Sequence, residues 1–417
     1  MTDPERLRIV WLKTELLHPV DKGGRIRTYQ MLRHLAAHHT VTYVTLDDGT
    51  AAPDAMDRAG EYAARVVRIP FAPPSKRSPA FVAALLGNLP SALPYAIARY
   101  RSPAMREAIR EATQGADLVV CDFLTPAINL PDHLAAPTLL FQHNVEAMIW
   151  ERHAEVARDP LRRTYMHSQF RRMAAFERAA CRRVDHVVAV SPQDAQVMTT
   201  RYGPLSVGSV PTGTDIDFFA PQGRGPSRAN HLVFTGSMDW MPNADAIEWF
   251  LRSILPRIRR TLPEVTVSIV GRSPSDALRR EAGAAGGVEV TGRVDDVRPL
   301  LEAGSVFIVP MRVGGGTRLK IFEAMAMGLP VISTAVGAEG LPLTDGRDIV
   351  LRDDAESFAA AVVTMLGEGA YRETVARAGQ QLVRERFGWS GVAEAFLAEC
   401  RIAIANRRRT TSTHIIS

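Results

Sequence analysis

The most informative part of the sequence is SVFIVPMRVGGGTRLKIFEAMAMGLPVIST, residues 305–334. An apolar run ends near Pro310, three glycines follow, and a helical pattern begins near Thr317. Gly328 and Pro330 then end the helix. Glycines before a helix let backbone N–H groups approach an anion, and the helix dipole favours negative charge at that end. The stretch therefore predicts a strand, an anion-binding turn and a helix, in that order.

Arg318 and Lys320 lie in the first turn of this predicted helix, and two cations there suit a diphosphate. Glu323 lies one turn further on, where a carboxylate can accept paired hydrogen bonds from ribose hydroxyl groups. The alternative is a flexible turn with Lys320 and Glu323 on a solvent-exposed face. The glycines that precede these residues are Gly314, Gly315 and Gly316. Their coincidence with two cations and a carboxylate favours a nucleotide site.

Short apolar runs alternate with helical patterns along almost the whole chain. The predicted strands of the first half are RIVWL (8–12), TVTYVTL (40–46), RVVRIP (65–70), DLVVCD (117–122), TLLFQHN (138–144) and HVVAVS (186–191). Those of the second half are HLVFTGS (231–237), VTVSIVG (265–271), VEVTG (288–292), SVFIVP (305–310), VISTA (331–335) and DIVLRD (348–353). Most are continuously apolar, as strands covered on both faces of a parallel sheet are. The alternation predicts an α/β protein with two doubly wound domains.

Two stretches between these strands have helical periodicity. The first is RIRTYQMLRHLAAHH (25–39), with apolar residues at Ile26, Tyr29, Leu32 and Leu35. The second is ADAIEWFLRSILPRIRRTL (244–262), which Pro256 is expected to kink or break.

The boundary between the domains falls in PTGTDIDFFAPQGRGPSRAN, residues 211–230, which is rich in glycine, proline, serine and threonine. We expect a first domain over residues 1–210, a linker over 211–228 and a second domain over 229–388. Residues 389–409 are expected to form a helix that packs back on the first domain and then a frayed basic tail. Ligands of open α/β sheets bind outside the carboxyl ends of the strands, so we expect the chemistry in a cleft between the domains.

Cysteine usage and hydropathy indicate the compartment. The cysteines are Cys121, Cys181 and Cys400, widely separated in the sequence. This pattern fits a reducing compartment and excludes a disulfide framework or a cysteine-based zinc site. The amino terminus becomes charged too early for a signal peptide, and no apolar run approaches the ~20 residues that cross a bilayer. We therefore expect a cytoplasmic protein.

The formal net charge is +5, and much of the excess lies between Glu151 and Asp185. The arginines of this window are Arg152, Arg158, Arg162, Arg163, Arg171, Arg172, Arg178, Arg182 and Arg183. One interpretation is a solvated helical face. The other is a surface that lies against an anionic membrane, on its inner face, where each basic residue adds roughly 1 kcal/mol. Nucleic acid is not expected, because the window has no interleaved aromatic residues and no known reading motif.

Several stretches resemble one enzyme family. The segment GGGTRLKIFEAMAMGLPVIST (314–334), followed by GAEGL (337–341), closely resembles the signature of retaining GT-B glycosyltransferases of family 4, the glycosyl transferases group 1. LVFTGSMDWMPNADAIEWF (232–250) is similar to the start of that family's donor domain, and QHNVE (142–146) resembles its histidine loop. KGGRIRTYQMLRHL (22–35) resembles its glycine-rich loop on the acceptor side. The resemblance implies the GT-B fold, with two Rossmann-like domains that face a central cleft.

Carried over by position, the resemblance implies roles for individual residues. Glu323 matches the second glutamate of the family's E-x7-E motif, which binds ribose. The candidate catalytic residues are His143, which matches the histidine facing the donor sugar, and Arg318 and Lys320, which match cations at the diphosphate. The other donor-binding residues implied in this way are Gly23 and Gly24 at the phosphates, Gly292, Arg293 and Val294 at the base, and Gly314, Gly315, Gly316 and Thr317 before the helix.

The resemblance also implies a hexosyltransferase that moves a sugar from a nucleotide diphosphate sugar to an acceptor hydroxyl with retention. The leaving diphosphate would help to deprotonate the incoming hydroxyl, while cations and the helix terminus stabilise its charge. The expected partners are the donor and a glycan or lipid-linked glycan acceptor, in cell-surface or exopolysaccharide synthesis. We expect no cofactor and no metal ion, since no HExxH motif or cysteine cluster is present. Asp215 and Asp217 are interpreted as turn or cap residues.

Two departures from the family pattern keep other functions open. Gly315 stands where the first glutamate of the motif is expected, and DWMPN (239–243) lacks the usual lysine. Some members share both departures, which indicates a subgroup. The alternatives are a non-catalytic sugar-nucleotide-binding scaffold subunit of a glycan-assembly complex and a GT-B sugar-nucleotide epimerase. A nicotinamide-dependent dehydrogenase is not expected, because RIVWL (8–12) is not followed by GxGxxG.

Overall fold

The computed structural model describes residues 6–20, 22–75, 78–156, 159–223, 228–313 and 319–415. The chain divides into two compact units. Unit 1 comprises Met1–Pro211 and Val392–Ser417, and unit 2 comprises Thr212–Gly391. In each unit the described strands form one parallel sheet, and helices connect them along the chain. The α/β class expected from the sequence is confirmed.

Unit 1 is built on the sheet order β3-β2-β1-β4-β5-β6-β7. Its strands are β1 (Arg8–Lys13), β2 (Thr40–Asp47), β3 (Arg65–Pro70), β4 (Leu118–Asp122), β5 (Thr138–Phe141), β6 (His186–Ala189) and β7 (Val207–Ser209). Its helices up to the unit boundary are α1 (Gly23–His38), α2 (Pro79–Gly87), α3 (Tyr95–Ala98), α4 (Pro103–Ala112), α5 (Glu146–Val156), α6 (Pro160–Arg183) and α7 (Pro192–Tyr202). The sequence did not predict β7, because an edge strand of three half-buried residues shows no apolar run.

Unit 2 is built on the sheet order β10-β9-β8-β11-β12-β13. Its strands are β8 (His231–Thr235), β9 (Thr266–Val270), β10 (Val288–Gly292), β11 (Val306–Val309), β12 (Val331–Ser333) and β13 (Val350–Leu351). Its helices are α8 (Met241–Trp249), α9 (Leu255–Arg259), α10 (Asp276–Ala285), α11 (Arg298–Glu302), α12 (Leu319–Ala326), α13 (Ala355–Gly367) and α14 (Gly369–Arg386). The last helix, α15 (Trp389–Ile415), starts in unit 2 and continues into unit 1.

In both sheets the strand order reverses beside the first strand, between β1 and β4 in unit 1 and between β8 and β11 in unit 2. This order is doubly wound, as expected. Every residue of β4 and β11 is buried, because continuously apolar strands are covered on both faces. Each strand expected from the sequence is present. Several end earlier than expected, and β5 ends at Phe141, so that His143 lies in the loop beyond it.

Helix α1 buries a different face from the one its apolar residues predicted. Leu32 and Leu35 are buried as expected, but Ile26 and Tyr29 are only partly buried. The buried face continues instead through polar and charged residues, namely Arg25, Arg27 and Thr28. Apolar periodicity could not find this face, because its first turns pack against polar groups at the sheet edge rather than against the apolar core.

The sequence predicted a kink or break at Pro256, and the α-helical pattern is interrupted just before it. A π-helical turn, Phe250–Ile254, separates α8 from α9, and Pro256 is the second residue of α9. Proline lacks a backbone N–H and crowds the preceding turn. A wider turn placed before it changes the hydrogen-bond register and lets the helical path continue.

Helix α15 completes the core of unit 1. The ring centre of Phe396 lies 5.5 Å from that of Trp11 and 4.9 Å from that of Phe141. Further along, Glu399 Oε2 lies 2.5 Å from His186 Nε2. The helix extends to Ile415, so the frayed tail expected after residue 409 was wrong. Residues 410–415 contain no glycine or proline that would end it. Within the described ranges, no helix is both long and apolar enough to cross a membrane.

Glycines close three neighbouring strands of unit 2, namely Gly236 after β8, Gly271 after β9 and Gly292 at the end of β10. Their backbones are joined laterally, since Gly236 N–H donates to Val270 O at 2.9 Å and Gly271 N–H donates to Gly292 O at 3.1 Å. A Cβ atom on Gly271 would lie 1.7 Å from the carbonyl oxygen of Gly236. The carboxyl edge of this sheet is therefore closed by bare, tightly packed backbone.

Replacing Gly271 by alanine should lower the free energy of unfolding by about 3 kcal/mol, because the added methyl group overlaps backbone that cannot move aside. The matched control is Gly283→Ala in α10, where an added Cβ meets nothing within 4 Å. That change should stabilise the protein by about 0.5–1 kcal/mol through helix propensity. Urea unfolding of both variants measures the difference. Equal stability of the two variants would contradict the close approach.

Candidate active site

The candidate residues at the ends of β1 and β4 and at the end of β8 lie at the switch points of the two sheets, where the strand order reverses. In doubly wound folds, ligands bind in the crevice outside the carboxyl ends of the strands at this point. In unit 1 the relevant strand ends are those of β1 and β4, and in unit 2 they are those of β8 and β11. Each unit therefore presents its own set of groups.

The set in unit 1 is organised by Asp122, the last residue of β4. Its Oδ2 accepts hydrogen bonds from Trp11 Nε1 at 3.0 Å, Lys13 Nζ at 2.9 Å and Thr28 Oγ1 at 2.6 Å. Its Oδ1 lies 2.7 Å from Nε2 of His143. The side chain of Asp122 is fully buried, and that of Lys13 is nearly so. A charged network of this kind is stable only when every member is paired.

Electrostatics fixes the protonation of this network. Burial alone would raise the pKa of Asp122, but Lys13 and the hydrogen bonds from His143 and Thr28 hold it well below its usual value. Burial lowers the pKa of His143 to about 3, against the attraction of Asp122. His143 is therefore neutral at physiological pH, and its Nε2–H donates to Asp122. The hydrogen bonds of the described residues leave its Nδ1 lone pair as an available acceptor.

Arg27 adds a second buried cation to the same region. It is 1% exposed, and its guanidinium carbon lies 5.7 Å from the ring centre of Phe141. None of its side-chain nitrogens has a hydrogen-bond partner among the described residues. Burial lowers the pKa of Arg27 to about 9, so it remains charged at neutral pH. The charges of Arg27 and Lys13 both favour the neutral form of His143.

The side chain of Phe123 packs between Gly24, in the glycine-rich loop, and the ring of His143. Its ring stacks on that of His143, with centres 3.7 Å apart. A Cβ atom on Gly24 would lie 2.9 Å from Phe123 Cζ, so the close packing requires glycine there. Phe123 has a backbone φ of 72°, which costs a non-glycine residue on the order of 1–3 kcal/mol. The structure thus brings two expected site residues, Gly24 and His143, together through a strained residue that the sequence did not single out.

Gly23 begins α1 and is exposed. The N-cap residue Lys22 makes no side-chain capping hydrogen bond, and the first turn contains no acidic residue. The first N–H groups of a helix have no partner within the helix, and they carry partial positive charge. This helix end therefore suits an anion.

In unit 2, Lys320 lies at the carboxyl end of β8. Its Nζ donates to Asn243 Oδ1 at 2.8 Å and lies 4.3 Å from the ring centre of Phe234. A Cβ atom on Gly236 would lie 2.9 Å from this Nζ, so bare backbone flanks the ammonium group. Asn243 belongs to the segment DWMPN, where the family's usual lysine is absent. An amide thus orients Lys320 without adding a competing charge.

Glu323 lies one turn after Lys320 in α12 and is half-buried. Burial raises its pKa to about 7, and the neighbouring charge of Lys320 opposes this rise. The carboxyl group therefore changes its ionisation close to neutral pH in the ligand-free protein. A group poised in this way becomes a stronger acceptor when donors reach it.

The remaining expected residues of unit 2 follow β10. Gly292 has a φ of 75°, a conformation that favours glycine. Arg293 is exposed, and no ion pair with another described residue holds it. Val294 packs against the apolar cluster that includes Phe322 of α12. The loop after β10 and helix α12 therefore pack against the same apolar cluster. Gly314, Gly315, Gly316, Thr317 and Arg318 lie outside the described residues.

Asp215 and Asp217 form a D-x-D sequence, a spacing that can bind divalent metal ions in other proteins. Asp215 Oδ1 accepts a hydrogen bond from Phe218 N–H at 3.0 Å, and its carbonyl accepts one from Phe219 N–H at 2.8 Å. The turn role expected for Asp215 is confirmed. Among the described residues, no group of three or more His, Cys, Asp or Glu side chains is arranged to hold a metal ion.

The sequence reasoning missed Lys13, Asp122 and Arg27. A signal for the first two was present, since RIVWLK and LVVCD each end an apolar strand on a charged residue. Such a charge lies at the edge where ligands of parallel sheets bind. No local signal marked Arg27, because its burial depends on packing between α1 and distant strands.

Two family profiles match the chain. The profile described as Glycosyltransferase Family 4 matches residues 22–218, and the profile described as Glycosyl transferases group 1 matches residues 229–368. Between them they span most of both units.

Similar curated proteins act on sugars. The phosphatidyl-myo-inositol mannosyltransferase of Mycolicibacterium smegmatis is 32% identical over 192 residues, which cover 44% of this chain and 48% of that protein. The D-inositol 3-phosphate glycosyltransferase of Kribbella flavida is 28% identical over 243 residues, which cover 52% of this chain and 57% of that protein. The chain therefore spans about half the length of the curated relatives it matches.

Solved structures with the same fold cover nearly the whole chain. Sucrose-phosphate synthase from Thermosynechococcus elongatus matches with a TM-score of 0.69 and 21% identity, covering 96% of this chain and all of that one. HepE from Anabaena, in complex with UDP and glucose, matches with a TM-score of 0.63 and 13% identity, covering 94% of this chain and 99% of that one. At these identities the likeness shows the fold.

Two Rossmann-like units, each with polar groups at its switch point, form the GT-B fold. The chain belongs to glycosyltransferase family 4, the glycosyl transferases group 1. The family resemblance found in the sequence is confirmed.

Replacing Asp122 by asparagine should lower the free energy of unfolding by about 3–5 kcal/mol at pH 7, because Lys13 is then left buried without a counter-charge. The matched control is Asp117→Asn, which affects an exposed pair with Arg8 and should cost less than about 1 kcal/mol. Urea unfolding at several pH values measures both.

The pH dependence follows from the lowered pKa of Asp122. Its stabilising contribution is present above the unfolded pKa of about 4 and is lost as the pH falls toward the folded value. The difference between the wild type and Asp122→Asn should therefore shrink below about pH 4. A cost no larger than that of the control at pH 7 would contradict the buried network.

Proposed function

We propose that the protein is a hexosyltransferase that moves a sugar from a nucleotide diphosphate sugar to an acceptor hydroxyl. One observation carries the proposal. At the switch point of unit 2, Lys320 lies beside glycine-only backbone, with the carboxyl group of Glu323 one helical turn away. An ammonium group can pair with a diphosphate. A carboxylate one helical turn away can accept hydrogen bonds from the ribose hydroxyls. Family membership supports the same assignment.

The donor is proposed to bind unit 2 through its nucleotide. Lys320 and Arg318 neutralise the diphosphate, together with backbone N–H groups of the glycine-rich turn at Gly314, Gly315, Gly316 and Thr317. Glu323 accepts from the ribose, and Gly292, Arg293 and Val294 meet the base. The guanidinium of Arg293, which is exposed and has no ion pair with another described residue, and the backbone of Gly292 are compatible with this role. The relative HepE, which was solved with UDP and glucose, supports a nucleoside diphosphate as the carrier.

The sugar transfer is proposed to proceed with retention and without a metal ion. His143 offers its Nδ1 lone pair to a hydroxyl of the transferred sugar, while Asp122 keeps Nε2 protonated. Gly23 and Gly24 supply backbone N–H groups from the start of α1 to the phosphates. Cations then stabilise the negative charge that grows on the leaving diphosphate, and the diphosphate accepts the proton of the incoming hydroxyl.

The acceptor is proposed to be a glycan or a lipid-linked glycan in the synthesis of a cell-surface polysaccharide. Support comes from the relatives whose names contain phosphatidyl-myo-inositol and inositol 3-phosphate, both of which combine free hydroxyl groups with a phosphate. A lipid-linked acceptor would require the protein to work at the inner face of the membrane.

The first experiment is a thermal-shift and donor-hydrolysis screen against a panel of nucleotide sugars, with and without EDTA. One nucleotide diphosphate should stabilise the protein, and its sugar should be hydrolysed slowly and independently of EDTA. Lys320→Met should abolish both responses, because the cation at the diphosphate is lost. Arg280→Met, an exposed residue of α10, removes the same charge and should change neither.

The same screen separates the alternatives. A scaffold subunit would bind the nucleotide without turnover in the wild type, even with acceptor present. An epimerase would release an epimerised donor without any acceptor. The absence of a response to every nucleotide would overturn the proposal. Analysis of the anomeric configuration of the product by NMR tests retention.

The ionisation of Glu323 makes donor affinity depend on pH. Its pKa of about 7 in the free protein means that the carboxylate is scarce at pH 6. Affinity for the nucleotide sugar should therefore fall about tenfold between pH 8 and pH 6. Glu323→Gln should bind more weakly and lose this dependence. Calorimetric titration of both proteins measures the effect.

The ligand-free protein offers a second test of the same group. A raised pKa contributes stability that is present below the unfolded pKa of about 4.3 and is lost as the pH rises through about 7. At pH 8, ligand-free Glu323→Gln should therefore melt at a higher temperature than the wild type. A lower melting temperature, or a pH-independent affinity of the wild type, would contradict the assignment.

A further inference from the structure

Helix α2 is an apolar element without a buried residue. Its sequence, PAFVAALLG, contains no charged or polar side chain, and none of its residues is buried. Val82 is 55% exposed and Leu86 59%, and Leu89 just beyond the helix is 47% exposed. Scattered apolar residues on a surface are ordinary, but an exposed helix made only of them marks an interaction surface.

The exposure of α2 is held in place by specific contacts at its start. Ser78 caps the helix, with its Oγ accepting from Phe81 N–H at 3.2 Å. The Phe81 ring meets the Tyr95 ring edge-on at 5.6 Å between centres. Tyr95 N–H in turn donates to Gln169 Oε1 of α6 at 2.9 Å. The inner side of this segment is therefore fastened to α6.

A second set of contacts fastens the end of α2. The guanidinium of Arg172, in α6, donates to the carbonyl of Asn88 at 3.0 Å and to that of Leu89 at 2.6 Å. These carbonyls lie just past the last residue of the helix, where a cation also favours the helix dipole. Both ends of α2 are thus tied to α6 while its apolar side chains face outward.

Helix α6 continues the apolar surface. Leu161, Tyr165, Gln169 and Arg172 recur at helical spacing and share one face of α6. Gln169 and Arg172 are the residues that hold the α2 segment. Leu161 lies two turns before Gln169 on this face, about 12 Å along the helix, and is 83% exposed. Its side chain therefore extends the apolar surface toward the start of α6.

The arginine-rich window separates into two groups. In the second half of α6, Arg178, Arg182 and Arg183 donate to backbone carbonyls of unit 1 and serve the fold. In the first half, the exposed residues Arg162, Arg163 and Arg171 have no hydrogen bond or ion pair from their side chains to other described residues. Arg152 and Arg158 are not included, since their side chains lie outside the described ones. The free cations therefore lie on the helix that carries the apolar surface.

We propose that α2 and the first half of α6 form a docking surface for an anionic lipid bilayer. Exposed aliphatic side chains enter the boundary of the acyl chains, and flanking arginines meet anionic head groups. The sequence places two more basic residues, Lys76 and Arg77, immediately before α2. A second copy of the chain is the poorer occupant, because its own arginines would face these arginines. The use of this surface to reach a lipid-linked acceptor rests on the proposed function, whereas the binding itself does not.

The test is co-flotation of the full chain with lipid vesicles. Vesicles of phosphatidylglycerol and phosphatidylcholine should carry the protein at low salt, and 0.5 M salt should release most of it. Pure phosphatidylcholine vesicles should not carry it. The triple variant Arg162→Gln, Arg163→Gln, Arg171→Gln should bind anionic vesicles roughly 100-fold more weakly, since each basic residue contributes about fivefold.

Matched controls separate this surface from net charge. The triple variant Arg260→Gln, Arg280→Gln, Arg377→Gln removes the same charge from exposed positions of unit 2 and should bind like the wild type. Leu86→Asn should weaken binding about tenfold without changing the net charge. Nucleotide-induced thermal shifts of all variants should equal that of the wild type, so a failed docking proposal is distinguishable from a failed donor assignment.

Three outcomes would overturn the proposal. The first is that the wild type fails to float with anionic vesicles at low salt. The second is that the control triple variant loses as much binding as the α6 variant, which would mean unspecific charge attraction. The third is a dimer in analytical ultracentrifugation that Leu86→Asn dissociates, which would make a second copy the occupant of the surface.

Discussion

The buried carboxylate of Asp122 gathers donors from β1, from α1 and from the loop after β5, and the carboxyl edge of the first sheet is arranged around it. An isolated charge at this depth would be strongly unfavourable, so its ionisation depends on Lys13. Once Asp122 is ionised, it determines which nitrogen of His143 carries the proton. The strained backbone of Phe123 is tolerated because the same network fixes its neighbours on both sides.

The carboxyl edge of the second sheet is formed by glycine backbone rather than by a network of buried charged side chains. Its strand ends carry glycine, and at the end of β8 the ammonium group of Lys320 contacts a neutral amide and an aromatic face. Backbone N–H groups and the ammonium group of Lys320 can both interact with a polyanion. The two units thus divide the chemistry. One holds a buried charge network around Asp122, with Arg27 in the same region, and the other presents glycine backbone beside Lys320.

Local patterns in the sequence were sufficient for every described strand except β7 and for the doubly wound architecture, because each of these strands is a contiguous apolar run. The roles assigned to Gly24, Gly292, Lys320 and Glu323 stay predictions. Local patterns were insufficient for the Asp122 network. Lys13 and Asp122 are 109 positions apart, and nothing local states that two strand ends will become neighbours. The burial of Arg27 and the π-helical turn before Pro256 likewise depend on packing. Lys13 and Asp122, the charged residues that end β1 and β4, were a local signal for a site at this edge of the sheet.

The position of α15 in the sequence determines the order in which the two units can complete their folding during synthesis. The ring of Phe396 packs beside Trp11 and Phe141, so the core of unit 1 includes a residue that follows all of unit 2 in the sequence. A ribosome finishes all of unit 2 before it supplies this piece. Unit 2 can therefore fold during synthesis, whereas unit 1 must wait with an open apolar groove until the last helix emerges. Chains cut short before α15 would therefore lose the packing of unit 1, which is made first, rather than that of unit 2.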